Sequence, residues 1–398
     1  MMSTTDTAGT AVITFTEDEL DPYVTHAPTR RWLSGPGLPV DGDLLSFAAL
    51  RTDGLRTVAD STGTPDRLTT ELRDRLVIGG ILGADGRETE SLLLDGATGA
   101  ISTTYFLHDR PDLMDSRPLA PSLEKLVRFA AAADELAALR GQFASYAGRL
   151  GPRAAAQAAQ HLLALFEEGT DGDPGPFWRM TAVIRPLSLV AGPGTTSGLA
   201  LDLPSRLLDE AFGAGRVARF EEVDFPPALT HEPTRRFLRE AGLPEDGYWF
   251  ALDTEVPPAS LAEYHAVERE EAGPAADRLP ADADRLIRLG NLLEDTSLVV
   301  DGATGTVLCW SEPDATLRPL NADVSTLAFT LWLINREKSL DAVHALTDAY
   351  GQLADTMSRT LAHADPLACD PTPTTATDDG RRYWPEAFGD EAGGGLYA

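Results

Sequence analysis

One peptide occurs twice in this chain, and that limits the folds open to it more than any other feature of the sequence. "HAPTRRWLSGPGLP" occupies positions 26–39 and "HEPTRRFLREAGLP" positions 231–244; nine of the fourteen residues are identical, and a tenth exchanges Trp32 for Phe237. The match continues on both sides. Upstream, "FTEDELDPYVTH" (15–26) aligns with "FEEVDFPPALTH" (220–231) at an offset of 205; downstream, "LLLDGATGAI" (92–101) aligns with "LVVDGATGTV" (298–307) at 206. "RPLAPSLEKL" (117–126) pairs with "RPLNADVSTL" (318–327), and "GPFW" (175–178) with "RRYW" (381–384). Matches in one order at a nearly constant offset mark duplication of a whole domain, whereas solenoid repeats have periods of roughly 20–50 residues.

The offset sets the boundaries: a first, divergent domain over 10–188, a Gly/Pro-rich linker over 189–203, a second domain over 204–390, and a tail over 391–398 that is expected to be disordered. Within the second copy, 204–213 and 233–242 have helix starts at Pro and stops at Gly. The stretches 248–255, 284–293 and 296–310 give strands, the last holding a hairpin at "DGATG". The run 321–357 is apolar at helical spacing, with Asn321 or Asp323 placed to cap its start. Short helices, then a meandering sheet, then a long helix define an α+β class: two tandem domains, each an antiparallel sheet packed with helices.

The two histidines of the repeated peptide raise the question of chemistry. His26 or His231 as general base, with Arg30, Arg31, Arg235 and Arg236 gripping an anion, needs a nucleophile or carboxylate at matching spacing in both copies, and none is retained. The framework reading asks less. His26, Pro28 and Trp32, and likewise His231, Pro233 and Phe237, form a short helix with Thr25 or Thr230 at its cap, an aromatic anchor and a Gly-Leu-Pro exit. Asp95-Gly96 and Asp301-Gly302 open hairpin turns, and one carboxylate is far short of the six to eight oxygens a calcium ion takes. "GGILGADG" (79–86) and "GPGTTSG" (192–198) lack the Gly-Lys-Ser/Thr ending of a phosphate loop. The seven histidines are dispersed and the two cysteines, Cys309 and Cys369, lie 60 positions apart, so no metal site and no cofactor is expected. Cys309 falls on an expected strand opposite Thr103 or Thr104 of the first copy, which suits a small buried residue better than a nucleophile.

The charge has two readings: high-GC codon usage, which favours Arg, Ala, Gly and Asp, or selection for a basic partner. With 33 basic against 62 acidic residues the formal net charge is −29, and lysine occurs only at Lys125 and Lys338. Such a chain repels nucleic acid and anionic membranes and attracts basic proteins, with an attraction that salt weakens. The acidic residues chosen as partner contacts are Glu221, Glu222 and Asp224, ahead of the second repeat peptide, and the cluster Glu268, Glu270 and Glu271. The N-terminal stretch has no basic region followed by an apolar run, no segment reaches 18 uninterrupted apolar residues, and two scattered thiols suit a reducing cytoplasm.

"LTHEPTRRFLREAGLP", the "VVDGATGTV" hairpin and the "RPLNADVSTLAFTLWLI" helix start resemble the SUKH superfamily, specifically its fourth group of immunity proteins, which is widespread in actinobacteria. The likeness is good from about 205 to 345 and weaker in the first copy, where Ala27 stands for Glu232, Ala120 for Asn321, and Arg128 enters an otherwise apolar helix face. The resemblance implies a non-enzymatic α+β protein that neutralises a polymorphic toxin by binding it, the toxin often a nuclease or nucleic-acid deaminase. An intracellular scaffold or adaptor of the same fold is the alternative.

Overall fold

The computed structural model describes residues 3–5, 11–40, 42–62, 65–247, 249–272, 279–292, 296–373 and 380–397, with the side chains of 3–5 and 268–272 left aside. The chain divides into two compact units, one of residues 1–147 with 157–183, the other of residues 148–156 with 184–398.

The first unit is built on an antiparallel sheet in the order Leu45–Ser46, Leu76–Leu82, Glu88–Leu94, Ile101–Thr104, Arg117–Ala120, with Arg56–Thr57 also paired to Leu76–Leu82. The second repeats it in the order Asp246–Gly247, Phe250–Leu252, Leu286–Asn291, Thr296–Asp301, Val307–Ser311, Thr316–Asn321. Both sheets carry the same two irregularities. One lies between Val77 and Gly79 or Arg288 and Gly290, the other between Ile101 and Ser102 or Val307 and Leu308. A bulge adds one residue to one strand and re-aims the side chains beyond it, so retention of both bulges keeps the shared positions in register; the first unit has one further shift, between Ile81 and Leu82. The α+β class expected from the sequence is the one found.

In each unit a helix comes after the last strand. Ser122 caps Leu123–Ala137, and Asp323 caps Val324–His344 by accepting from the amides of Ser325 and Thr326. In the first unit Phe129 of this helix meets Phe166 and Trp178 at ring separations of 4.9 and 5.3 Å. Arg128, which seemed to interrupt an apolar face, is exposed and pairs with Glu168 at 3.4 Å. The apolar run 321–357 is two helices rather than one. Ala345 turns left-handed, and the Asp341 carboxylate accepts from the Thr347 amide at 2.8 Å and its hydroxyl at 3.0 Å, which ends the first helix before Tyr350–Ala364 begins.

Two stretches differ from the sequence expectation, and a third has a structure that the sequence reading did not assign. Residues 189–203 are folded into the second unit: Gly192–Pro193 pairs with Leu201–Asp202, and the Asp202 carboxylate accepts from the amides of Thr195, Thr196 and Ser197. The acidic stretch 263–272 belongs to a helix, Leu261–Ala272, whose Leu261 packs with Leu286, Val299 and Trp310. The tail contains a 3-10 turn, Gly395–Tyr397, with Leu396 only 2% exposed, so the disorder expected there gives way to packing of one apolar residue.

Candidate partner-binding surface

The repeated peptide is one half of a latch, and the "DGATG" turn is the other. In the first unit the Gly96 carbonyl accepts from the amides of Thr25 and His26, and in the second the Gly302 carbonyl accepts from those of Thr230 and His231, all at 2.8–2.9 Å. These amides lie where the helices Ala27–Ser34 and Glu232–Glu240 start, with Pro28 and Pro233 in the first turn. The helix N-cap is the histidine, not the threonine before it. Its Nδ1 is hydrogen-bonded to a threonine hydroxyl three residues on, His26 to Thr29 at 2.9 Å and His231 to Thr234 at 2.8 Å.

The glycines of the turn are required by how closely it approaches. A Cβ on Gly96 would lie 2.0 Å from the Tyr23 carbonyl oxygen, and one on Gly302 2.2 Å from that of Ala228. Gly99 and Gly305 adopt φ of +81° and +80°, and a Cβ there would meet the ring nitrogen of His26 at 2.4 Å or of His231 at 2.3 Å. Only glycine combines that backbone with that contact. Asp95 and Asp301 complete the turn by accepting from the amides of Ala97 and Thr98, and of Ala303 and Thr304, and by pairing with Arg75 and Arg285, each at 2.9 Å. Burial works against the charge on Asp95, yet the Ala97 and Thr98 hydrogen bonds and Arg75 hold its carboxyl below the usual range. Of the residues singled out in the sequence as framework, His26 meets Gly96 and His231 meets Gly302 through backbone hydrogen bonds. One detail changes: Trp32 and Phe237 are only partly buried, and the residues fully inserted are Leu33 with Thr29, and Leu238 with Thr234.

The acidic segments serve the same assembly. Thr16 and Glu221 each start a short turn, and the carboxylates of Glu19 and Asp224 accept the amides of Thr16 and Glu221 at 2.8 Å. Glu17 pairs with Arg30, and Glu222 with Arg235, at positions related by the same offset of 205. Arg30 adds Asp21; in the second copy Pro226 replaces that acid, and Arg235 lies over the Phe225 ring at 5.6 Å instead. Arg30 and Arg235 thus bind the acidic segment ahead of the helix. Glu222, paired also with Arg239 at 2.7 Å, spends part of its charge inside the molecule, whereas Glu221 is exposed. Glu268, Glu270 and Glu271 fall at the end of the Leu261–Ala272 helix, and their side chains lie outside the described residues.

Sequence reasoning missed the group that seats this acidic helix. Arg288, 4% exposed on a central strand, pairs with Asp253, bonds Asn291 at 2.5 Å, and has its guanidinium 3.9 Å from the centre of the Tyr264 ring. Burial lowers its pKa to about 10 against the pull of Glu312, which also lies 3.5 Å from His265. The register places Val77 at this position in the first unit, so a buried cation here is peculiar to the second. The same registers pair Leu92 with Thr103 and Leu298 with Cys309, which makes Thr103 the counterpart of that cysteine. Cys309 is buried, and burial pushes its thiol up to about 11, far from a reactive thiolate.

A cavity of about 340 Å³ lies beside the motif helix of the second unit, between Arg236, Phe237 and Glu240 and the segment through Ser197, Leu201 and Pro204. Arg236 donates to the Ser197 carbonyl there. Among the described residues, no group of three or more His, Cys, Asp or Glu is placed to hold a metal ion, and no helix is long and apolar enough to cross a membrane.

The fold and the latch define a class of protein: a tandem pair of α+β units whose shared polar residues hold the framework together. The family model described as SUKH-4 immunity protein matches residues 4–179 and again residues 203–390, and the chain belongs to that family as a tandem duplication. No curated protein and no solved structure matches the chain.

Proposed function

We propose that the chain acts without catalysis, as a cytoplasmic immunity protein that binds a basic toxin, a nuclease or nucleic-acid deaminase, and neutralises it by association. The observation that carries this reading is the family match across both copies, joined to the use of the repeated-peptide histidines as latch residues. Excess negative charge supports the basic partner: a protein that grips nucleic acid presents cations, and an acidic blocker is drawn to them at long range. The contact residues in this reading are Glu221, Glu222 and Asp224 with Glu268, Glu270 and Glu271. Glu221 is the cleanest probe, because its side chain is engaged only in the capping box of its own turn, whereas Glu222 pairs with Arg235 and Arg239.

The test begins with the toxin-like protein encoded beside this gene. The purified chain should bind it stoichiometrically and abolish its activity. Glu221→Lys combined with Glu270→Lys should slow association roughly three- to tenfold at low salt and flatten its salt dependence, with little change in dissociation. Failure to bind or protect against that toxin sinks the immunity reading. Binding with wild-type rates in the double variant sinks only the choice of contacts.

A further inference from the structure

Glu337 is a carboxylate in the wrong place for a surface residue. It lies in the Val324–His344 helix, is 0% exposed, and neither oxygen has a hydrogen-bond partner among the described residues. Its counterpart at the offset of 201 is Leu136, buried in the matching helix of the first unit. A charged carboxylate without partners is costly to bury, and the group escapes that cost by keeping its proton. Burial, reinforced by Asp341 and opposed by Lys338, raises its pKa from the usual range to about 8.

The C-terminal turn Gly395–Tyr397 packs on this helix. It is held by Tyr350, whose hydroxyl accepts the Leu396 amide at 2.8 Å and whose ring lies 4.9 Å from that of Tyr397. Gly395 passes so close that a Cβ on it would lie 1.7 Å from the Tyr350 hydroxyl oxygen. Burial raises the pKa of Tyr350, and the charges of Glu391, Asp390 and Glu337 push it the same way. Of the charged groups on the other elements packed against the helix, Asp355, Arg359 and His363 belong to Tyr350–Ala364 and have contacts of their own, with His363 exposed. Asp209 pairs with Arg219, Glu210 with Arg206, and Arg235 and Arg239 with Glu222, while Asp202 is bound by backbone amides. Arg236 donates to the Ser197 carbonyl, Glu240 has Arg239 at 3.7 Å, Asp348 is exposed, Arg318 acts on Cys309, and His344 stands two helical turns from Glu337.

We propose that the turn is a proton-gated strap, seated while Glu337 is a neutral acid and released when that group ionises. Ionisation adds a charge with no hydrogen-bond donor one helical turn from Asp341, and that charge acts on the Tyr350 hydroxyl. Lifting the strap admits water to all of them, at the expense of uncovering Leu396 and Tyr350.

The experiment is amide hydrogen exchange on the full chain between pH 6.5 and 9, with intrinsic exchange rates divided out. Protection of the Leu396 and Tyr397 amides should fall about tenfold or more in the wild type while Val299 and Val300 in the sheet stay protected; in Glu337→Gln the strap amides should show no such fall. Flat protection in the wild type, or the same fall in Glu337→Gln, overturns the proposal. If that variant does not fold, the carbon-13 shift of the Glu337 carboxyl in the wild type decides. A midpoint coinciding with strap release supports the proposal, and a carboxyl already ionised at pH 6.5 overturns it.

Discussion

Trp178 and Trp384 hold the same place in the two units and are served differently. Trp178 donates to the Leu119 carbonyl at 2.9 Å and sits among Phe129, Phe166 and Phe177. Trp384 donates at 2.9 Å to the side chain of Asn321, which in turn donates to Thr330 at 3.1 Å and Asp365 at 2.9 Å. At the offset of 201, Ala120 becomes Asn321, Phe129 becomes Thr330 and Leu136 becomes Glu337; on the sheet, Val77 becomes Arg288. One topology is thus filled by an apolar core in one copy and by a buried polar network in the other. An apolar core tolerates repacking, while a buried network demands one geometry and penalises a missing member. The two units should therefore respond differently to equivalent cuts.

The largest difference is expected at Asn321→Ala, which gives the second unit the residue the first already has. Trp384 loses its acceptor and Asp365, 1% exposed, keeps only the Ala322 amide at 2.9 Å. The second unit should lose about 3 kcal/mol, read by urea unfolding with amide exchange in the Leu286–Asn291 strand. A loss under about 1 kcal/mol would mean that the network is incidental to stability.

Glu337→Leu makes the opposite exchange and should stabilise the second unit. The sign comes from the raised pKa. Between the ordinary value of 4.5 and about 8 the folded chain holds a proton that the unfolded chain has released, so stability falls as pH rises through that window. The gain from leucine should be smallest near pH 5 and reach about 2–3 kcal/mol at pH 7–8, seen as a growing gap between the two urea midpoints. A gap independent of pH would show that Glu337 titrates like an exposed acid.

The repeat made the fold legible because duplication marks which residues both copies need. The latch needs His, Thr and two glycines at fixed spacing, and those letters survive in both. The features that stayed hidden depend on burial, which sequence spacing does not report. "INREKSL" has the composition of a helix surface, yet Glu337 faces inward. "EYHAVEREEAG" shows its acids more clearly than the Leu261 contact that docks its helix. The Gly-rich tail suggested disorder because one leucine is a weak signal, and the segment 189–203 gave no sign that Asp202 would gather three amides.

The smallest expected effect tests the one place where the two units should agree. His26→Ala and His231→Ala each remove a ring that bonds a threonine hydroxyl at 2.9 or 2.8 Å and covers a glycine of the turn. The backbone part of the latch, two amides on one carbonyl, stays intact in both variants. Each substitution should cost its own unit about 1 kcal/mol, the ordinary worth of one such bond with some packing. The costs should be equal within about 0.5 kcal/mol and additive in the double variant, because the two sites share no partner. Toxin neutralisation should persist wherever the unit stays folded. If His231→Ala abolished neutralisation while leaving unfolding and partner association unchanged, the histidine would have a chemical task and the equivalence of the two latches would end at their geometry.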